Sequence, residues 1–286
     1  MNEDKKQDAS QSEKEKSGNT LAEEKLEVLR EYLGRLKKVM IAYSGGVDST
    51  FLLKVAHDVL GDGAVAVTVQ SCLFPGREFE ETESFCRKEG IRHLICRADE
   101  MQIPGFSGNP KDRCYLCKKD LFGKIGQIAA ENQIEYIAEG SNVDDMGDYR
   151  PGLRAVAELG ILSPLREAGL TKAEIRYLSR KLGLTTWEKP SFACLASRFV
   201  YGETITKEKL AMVEQAEQVL LDLGFRQMRV RIHGMMARIE VLPEELERLA
   251  QKEIRESIVR KLKEYGFTYV TMDLAGYRTG SMNETL

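Results

Sequence analysis

The segment SGGVDST, from Ser44 to Thr50, combines residue types that suit the binding of phosphate. An apolar run precedes it and a helical pattern follows it, so it joins a strand to the N-terminus of a helix. Two glycines let successive amides point inward, and the helix dipole adds positive charge. Asp48 can hold the loop through backbone amides or help to position Mg²⁺. We therefore predict an anion site formed by Ser44, Gly45, Gly46, Asp48, Ser49 and Thr50.

This segment differs from the commoner nucleotide-binding loops. It lacks the Gly-Lys-Ser/Thr ending of a Walker A loop and the GxGxxG pattern of a dinucleotide-binding turn. A plain Ser-Gly-Gly turn is the alternative without function. The strand before it and the helix after it favour the phosphate site.

Three of the six cysteines form a second candidate site. Cys114 and Cys117 make a Cys-x-x-Cys motif, and Cys194 lies in an aperiodic stretch that also contains Lys189 and Arg198. Neighbouring positive charge favours the thiolate, so we expect a lowered pKa for Cys194.

The Cys-x-x-Cys motif by itself leaves several chemistries open. A redox pair would need a thioredoxin-type fold, and structural zinc normally takes four protein ligands, which the sequence does not offer nearby. Three cysteines suit a 4Fe–4S cluster with one iron left open for an exogenous ligand such as sulfide. The alternative is that Cys114 and Cys117 are two free thiols at the end of a helix and have no function. Cys72, Cys86 and Cys96 are expected to be inert buried thiols.

Strands and helices alternate along most of the chain and must position both sites. Leu26, Leu29, Leu33 and Leu36 mark one face of an amphipathic helix, and Thr171 begins a capping box ahead of another. Strands are predicted at 39–43, 64–69, 92–96 and 134–139, and helices at 50–60, 79–88 and 112–131. Such alternation predicts an α/β fold with a parallel sheet covered on both faces. Asp145, Asp148 and Arg150 follow the fourth strand, at the sheet edge where ligands bind in such folds.

The chain is predicted to have three parts. Residues 1–19 contain almost nothing apolar and are expected to be a disordered tail. Residues 20–190 form the α/β domain, and residues 191–286 form a smaller α+β domain. Its predicted elements are a helix at 206–223 and strands at 227–233, 237–242 and 267–274.

Composition narrows the class of protein. The net charge of −3 gives no overall attraction to polyanions, so a nucleic-acid partner is not expected. The sequence has no apolar run long enough to cross a bilayer and no secretory leader, and its cysteines suit a reducing compartment. We expect a cytoplasmic protein without a membrane partner.

Several strings taken together resemble a known family. SGGVDST is similar to the motif of the PP-loop ATP pyrophosphatase superfamily, whose fold is of the adenine nucleotide alpha hydrolase type. DRCYLCKK, EGSNVDDMGDYRPG, SPLREAGLTKAEIR, KPSFACLASR and GYRTGSMN follow in the order typical of the LarE family of ATP-dependent sulfur transferases. The resemblance implies that ATP is cleaved to AMP and pyrophosphate. It also implies that Ala42, Thr68 and Gly140, at strand ends, contact ATP.

The same resemblance implies the reaction. A carboxylate of a pyridinium mononucleotide is adenylated, and sulfur then displaces AMP to give a thiocarboxylate, in maturation of the nickel-pincer nucleotide cofactor of lactate racemase-type enzymes. In one version of the family a single cysteine at the position of Cys194 gives up its own sulfur. In the other, cysteines at the positions of Cys114, Cys117 and Cys194 hold a cluster that carries the sulfide. With all three cysteines present, this chain resembles the cluster version.

The resemblance further implies that five charged residues bind the substrate and that the protein forms a trimer-based homo-oligomer. Those residues are Arg198, Glu217, Arg229, Arg231 and Glu240. The alternative functions are a tRNA thiolase of the same superfamily and a PP-loop amidotransferase or synthetase. The net negative charge disfavours the tRNA thiolase, and the cysteines have no role in the amidotransferase or synthetase.

Overall fold

The computed structural model describes residues 3–147, 151–190, 193–278 and 280–282, with side chains from residue 18 onward except at 146 and 147. The chain divides into two compact units. The first unit comprises Met1–Gln70, Arg77–Arg97 and Lys118–Ser191, and the second comprises Ser71–Gly76, Ala98–Cys117 and Phe192–Leu286.

A four-stranded, all-parallel sheet forms the centre of the first unit. Its strands are β1 (Val39–Ala42), β2 (Ala64–Gln70), β3 (Arg92–Arg97) and β4 (Tyr136–Ala138). They lie in the order β3-β2-β1-β4, with Val39 paired to Ala64 on one side and to Tyr136 on the other. The central strands are apolar and buried because helices cover both faces of a parallel sheet. The predicted α/β fold is confirmed.

Most helices belong to the first unit. They are α1 (Glu3–Leu36), α2 (Val47–Leu60), α3 (Gly76–Glu89), α4 (Arg113–Glu131), α5 (Gly152–Glu158), α6 (Pro164–Glu167) and α7 (Lys172–Lys181). The first residue of α3 and the first five residues of α4 are assigned to the second unit. Thr171 caps α7 through the predicted capping box.

Helix α1 differs from the tail predicted at its start. Its backbone is helical from Glu3, whereas the sequence predicts that order begins near Leu21. The buried face begins at Ala22 and continues through Leu26, Leu29 and Leu33, as the leucine spacing indicates. The preceding residues include many Glu, Lys and Gln, which lose little side-chain freedom in a helix, so local bonding extends α1 beyond its packed part.

The second unit is a small α+β arrangement with its own apolar core. Helices α8 (Lys207–Asp222), α9 (Leu246–Ala250) and α10 (Lys252–Glu264) accompany strands β5 (Met228–His233), β6 (Met236–Val241) and β7 (Tyr269–Met272). Strand β6 lies in the middle, antiparallel to β5 and parallel to β7.

The division into units does not follow the single boundary at residues 190 and 191 that the sequence predicts. Two excursions, one after β2 and one after β3, belong to the second unit. The second excursion brings Cys114 and Cys117 into the same unit as Cys194. Among the described residues, no helix is both long enough and apolar enough to cross a membrane.

Candidate active site

The SGGVDST segment connects β1 to α2, as predicted, and its first glycine needs a conformation that other residues rarely adopt. Gly45 has φ of +71°, and a Cβ there would lie 3.0 Å from the Thr82 side chain. Gly46 is the N-cap of α2 and makes no side-chain capping bond, so the first amides of the helix are not used by a cap. This geometry suits an anion at the helix N-terminus.

The hydroxyl groups of the loop differ in accessibility. Ser44 is exposed and its Oγ lies 3.0 Å from the Oγ of Ser49, which is also within 3.3 Å of the Gly46 carbonyl oxygen. Thr50 is fully buried, so a direct bond from its hydroxyl to a nucleotide stays a prediction. Ser44 is therefore the exposed hydroxyl donor of the loop.

Asp48 is held by two groups outside the loop. Its carboxylate accepts a hydrogen bond from Asn142 Nδ2 at 3.3 Å and pairs with the Lys172 ammonium at the start of α7. The structure thus supports the first predicted role, which is to hold the loop, although the partners are side chains rather than backbone amides. Among the described residues, Asp48 belongs to no group of three or more His, Cys, Asp or Glu side chains that could hold a metal ion.

Two residues predicted to contact ATP hold the sheet edge together. Thr68 Oγ1 donates to the Tyr43 carbonyl oxygen at 2.8 Å, so His93 Nε2, at 2.7 Å, must be the donor to Thr68. A Cβ on Gly140 would lie 3.0 Å from the Ser49 amide nitrogen, so a larger residue would crowd the loop here. Ala42 ends β1 one strand position before Tyr43. Contacts from these residues to ATP remain predictions.

Lys189 lies at the phosphate loop, which the sequence did not indicate. Its ammonium is 3.2 Å from the Gly45 carbonyl oxygen and 2.6 Å from carboxylate oxygens of both Glu78 and Glu81. The sequence suggested instead that Lys189 would activate Cys194. Proximity to the loop depends on α3, which no local pattern around Lys189 reveals.

The residues that follow β4 form a polar edge. Asp145 accepts a hydrogen bond from the Asn142 amide at 2.9 Å. Asp148 and Arg150, which the sequence places at the same edge, lie outside the described residues.

The three candidate cysteines belong to one unit, and Arg113 and Cys114 interact electrostatically with Cys194. Cys114 and Cys117 are in the first turns of α4, and Cys194 precedes a short 3-10 helix at Leu195–Arg198. Burial raises the pKa of Cys194, and the positive charge of Arg113 opposes this rise. The direction is therefore opposite to the lowered pKa that the sequence predicts, because the effect of burial outweighs that of the nearby positive charges.

The three thiols are the donor type that an iron–sulfur cluster takes. They belong to one unit, and Cys114 interacts electrostatically with Cys194. The described part of the chain contains no group of three or more His, Cys, Asp or Glu side chains arranged to hold a single metal ion. A cluster spans a wider set of ligands than one ion does, so the cysteines fit a cluster by donor type alone.

Two of the three remaining cysteines are the buried thiols that the sequence predicts, whereas Cys72 is only partly buried. Cys86 and Cys96 are almost fully buried. Burial raises the pKa of Cys86 to about 12, so this residue is a thiol at neutral pH.

A buried ion pair positions the backbone at Cys194. The guanidinium of Arg198 makes two 2.9 Å hydrogen bonds to Glu217, and both side chains have no exposed surface. Burial would raise the pKa of Glu217, but Arg198 holds it below its usual range. Arg198 also donates to the Cys194 carbonyl oxygen at 3.0 Å. Glu217 and Arg198 thus act together to fix the chain at Cys194.

A second buried pair lies on β5 and β6. Arg231 Nε donates to Glu240 at 3.0 Å, and Ser281 Oγ lies 3.1 Å from both side chains. Arg238 Nη2 donates to the other oxygen of Glu240. Both oxygens of the Glu240 carboxylate therefore accept hydrogen bonds from within the protein.

Arg229 makes this region electropositive. Its guanidinium lies 5.2 Å from the centre of the Tyr277 ring, and burial together with the nearby charge of Arg198 lowers the pKa of Arg229 to about 10. Arg198, Arg229 and Arg231 are three buried cations, whereas Glu217 and Glu240 are two buried anions. An excess of one positive charge in a buried cluster favours binding of an anion.

The sequence of the chain is similar to those of several curated proteins. The chain is 44% identical over 266 residues to an uncharacterised Synechocystis protein, covering 93% of this chain and 99% of that protein. It is 41% identical over 253 residues to the pyridinium-3,5-bisthiocarboxylic acid mononucleotide synthase of Lactiplantibacillus plantarum, covering 88% of this chain and 91% of that enzyme. No protein-family model matches the chain.

A more distant relative shares only part of the chain. A subunit of the glutamine-hydrolysing GMP synthase from Thermoplasma acidophilum is 30% identical over 201 residues, which cover 65% of this chain and 64% of that protein. Together with the parallel sheet and the loop between β1 and α2, this similarity defines an enzyme of the PP-loop ATP pyrophosphatase superfamily. Within that superfamily, the chain belongs to the LarE family of ATP-dependent sulfur transferases.

Proposed function

We propose that this chain adenylates a carboxylate of a pyridinium mononucleotide and replaces a carboxylate oxygen with sulfur. The observation that carries the proposal is 41% identity, across 88% of the chain, to an enzyme named for the bisthiocarboxylic acid product. The loop between β1 and α2 and the cysteines of the second unit supply the two activities that such a reaction needs.

The first step uses the phosphate loop. A carboxylate oxygen of the substrate attacks the α-phosphorus of MgATP, the bond to the β-phosphate bridging oxygen breaks, and pyrophosphate leaves with the electron pair. The amides after Gly45 and the N-terminus of α2 suit the charge of the departing pyrophosphate. Lys172 and Asn142 contact the Asp48 carboxylate and so help to hold the loop.

The second step uses the activated carboxyl group. A carboxylate is a poor acyl acceptor because its oxygen leaves poorly, and adenylation makes AMP the leaving group. A sulfur nucleophile adds to the acyl carbon, and AMP departs with the carboxylate oxygen. We propose that Cys114, Cys117 and Cys194 hold the sulfur that is transferred. Where that sulfur is the Sγ of Cys194 itself, its attack gives a thioester, and loss of the Cys194 α-proton then breaks the Cβ–Sγ bond to leave dehydroalanine and the thiocarboxylate.

The buried arginines suit the phosphate of the substrate nucleotide. Arg229 and Arg231 alternate on β5, and a guanidinium group can donate two hydrogen bonds to one phosphate. All three nitrogens of Arg231 already donate inside the protein, to Glu240, Ser197 and Ser281, so a phosphate would replace one of these partners. Arg198, Glu217 and Glu240 are engaged with each other or with Arg231, so we assign them to positioning rather than to direct substrate contact. This differs from the direct contacts that the resemblance implies.

A 4Fe–4S cluster on the three cysteines is the more specific form of this proposal. It is supported by three thiols in one compact unit and by the positive charge of Arg113 beside Cys194. When bound, such a cluster would supply a sulfide for transfer. The trimer-based homo-oligomer that the resemblance implies, and the cytoplasmic location that composition favours, stay predictions.

One experiment separates the two possible sulfur sources. Protein is purified without oxygen, and iron and acid-labile sulfide are measured for wild type, Cys117→Ser and Cys86→Ser, the last being a matched control outside the site. We expect iron and sulfide in wild type and Cys86→Ser, and their loss in Cys117→Ser. Iron absent from wild type would contradict the cluster and make Cys194 itself the sulfur donor, which conversion of its side chain to dehydroalanine would show by mass spectrometry.

A further inference from the structure

Lys189 is fixed at the phosphate loop by both its backbone and its side chain. Its carbonyl oxygen accepts from Arg176 Nη2 at 2.9 Å, and its amide donates to Thr186. Its side chain is only 12% exposed. The ammonium therefore has a defined place beside the Gly45 carbonyl oxygen rather than a range of solvent positions.

The loop needs a cation that its own sequence does not contain. SGGVDST carries one charged residue, the anionic Asp48, and lacks the lysine of a Walker A loop. In the described contacts, two ammonium groups reach the loop, those of Lys172 and Lys189. Lys172 is committed to neutralising Asp48, which leaves Lys189 to meet the negative charge of a triphosphate.

The present partners of Lys189 are suited to releasing it. Glu78 is buried, whereas the Glu81 side chain is 57% exposed. Glu78 is also paired with the Arg77 guanidinium, whose Nε lies 3.8 Å from its other oxygen, so Glu81 is the carboxylate that competes with a phosphate for the Lys189 ammonium. The exposed Glu81 can turn into solvent with little cost, because a solvated ion pair contributes little.

We infer that Lys189 binds the polyphosphate of ATP and that Glu81 competes with the nucleotide for this ammonium. The inference rests on the proposed ATP-dependent function and adds to it a phosphate-binding residue from outside the loop. Because the loop is suited to the departing pyrophosphate, Lys189 acts on the β- and γ-phosphates more than on the α-phosphate.

The test measures binding of MgATP and of AMP to the full chain by titration calorimetry. Lys189→Met is expected to weaken MgATP binding about 10- to 100-fold, as for loss of a hydrogen bond to a charged group, and AMP binding about threefold at most. Lys189→Arg should retain most of the affinity, and Glu81→Gln should tighten MgATP binding by about twofold to fivefold. Lys54→Met is the matched control, since Lys54 is also partly buried in the first unit and paired with two carboxylates, Asp58 and Glu89.

A purely structural role for Lys189 predicts other results. It would leave MgATP affinity unchanged in the Glu81→Gln protein, or would weaken ATP and AMP binding equally in Lys189→Met, and either result would overturn the inference. If Lys189→Met does not fold, as judged by its thermal melt, the Glu81→Gln and Lys189→Arg proteins decide the question. Failure of the wild-type protein to bind MgATP would overturn the proposed function as well. If the wild-type and Lys189→Met proteins bind MgATP with the same affinity, this inference alone is overturned.

Discussion

Removing the charge of Glu217 should severely destabilise the second unit. Glu217 accepts two hydrogen bonds from Arg198 and one, at 3.0 Å, from the Val230 amide, and neither side chain of the ion pair is exposed. Glu217→Gln therefore leaves a buried guanidinium without its counter-charge. Loss of one partner of a buried pair costs about 3–5 kcal/mol, equivalent to a fall in Tm of roughly 10 °C in a chain of this size.

The measurement is urea denaturation followed by far-UV circular dichroism and by tryptophan fluorescence. The only tryptophan, Trp187, lies in the first unit, so a transition that changes the dichroism but not the fluorescence belongs to the second unit. Lys207→Met is the control in the same unit, since its pair with Asp99 is exposed and should contribute less than about 1 kcal/mol. A Glu217→Gln protein within about 1 kcal/mol of wild type would refute the reasoning.

A double replacement separates stability from function. Arg198→Met combined with Glu217→Leu removes both charges, so part of the lost free energy of unfolding should return. Sulfur transfer should stay low, because the Cys194 carbonyl oxygen has lost its bond to Arg198. Recovery of both properties would show that Arg198 does not position Cys194.

Three further predictions follow from single contacts. Gly140→Ala should lower stability by about 1–3 kcal/mol and reduce pyrophosphate release, because the added Cβ meets a loop amide, whereas Gly126→Ala, with open space around it, should do neither. The free energy of unfolding should fall as the pH drops from 7 towards 5, because burial lowers the pKa of His93 below its unfolded value of 6.5. The unfolded chain therefore binds a proton at a higher pH than the folded chain does. Urea titrations at each pH should show a weaker pH dependence for His93→Gln. Cys86→Ala should keep single-turnover sulfur transfer, while Cys194→Ala should abolish it, as product analysis by mass spectrometry would show.

The order of strands and helices could be predicted because each follows from local pattern. The apolar run of β1, the glycines after it and the polar start of α2 lie within about a dozen residues, so their combination is visible in the sequence. The Thr171 capping box is equally local. Parallel pairing followed from the alternation of elements, which admits few other arrangements.

Contacts between distant segments could not be predicted in the same way. Lys189 meets Glu78 and Glu81 across more than 100 residues, and its neighbours in sequence suggested Cys194 as its partner instead. The assignment of Cys114 and Cys117 to the second unit depends on an excursion after β3 that leaves no compositional sign. The direction of the Cys194 pKa depends on burial, which the surrounding charges do not reveal.

The central claim is that cleavage of ATP drives replacement of a carboxylate oxygen by sulfur. It is tested most directly by incubating anaerobically purified protein with MgATP and a pyridinium dicarboxylate mononucleotide, then measuring pyrophosphate and the mass of the nucleotide together. For wild type we predict one pyrophosphate for each sulfur gained, and for Cys194→Ala we predict no sulfur-containing nucleotide. Wild-type pyrophosphate without a sulfur-containing nucleotide, or sulfur gained without ATP, would contradict the account.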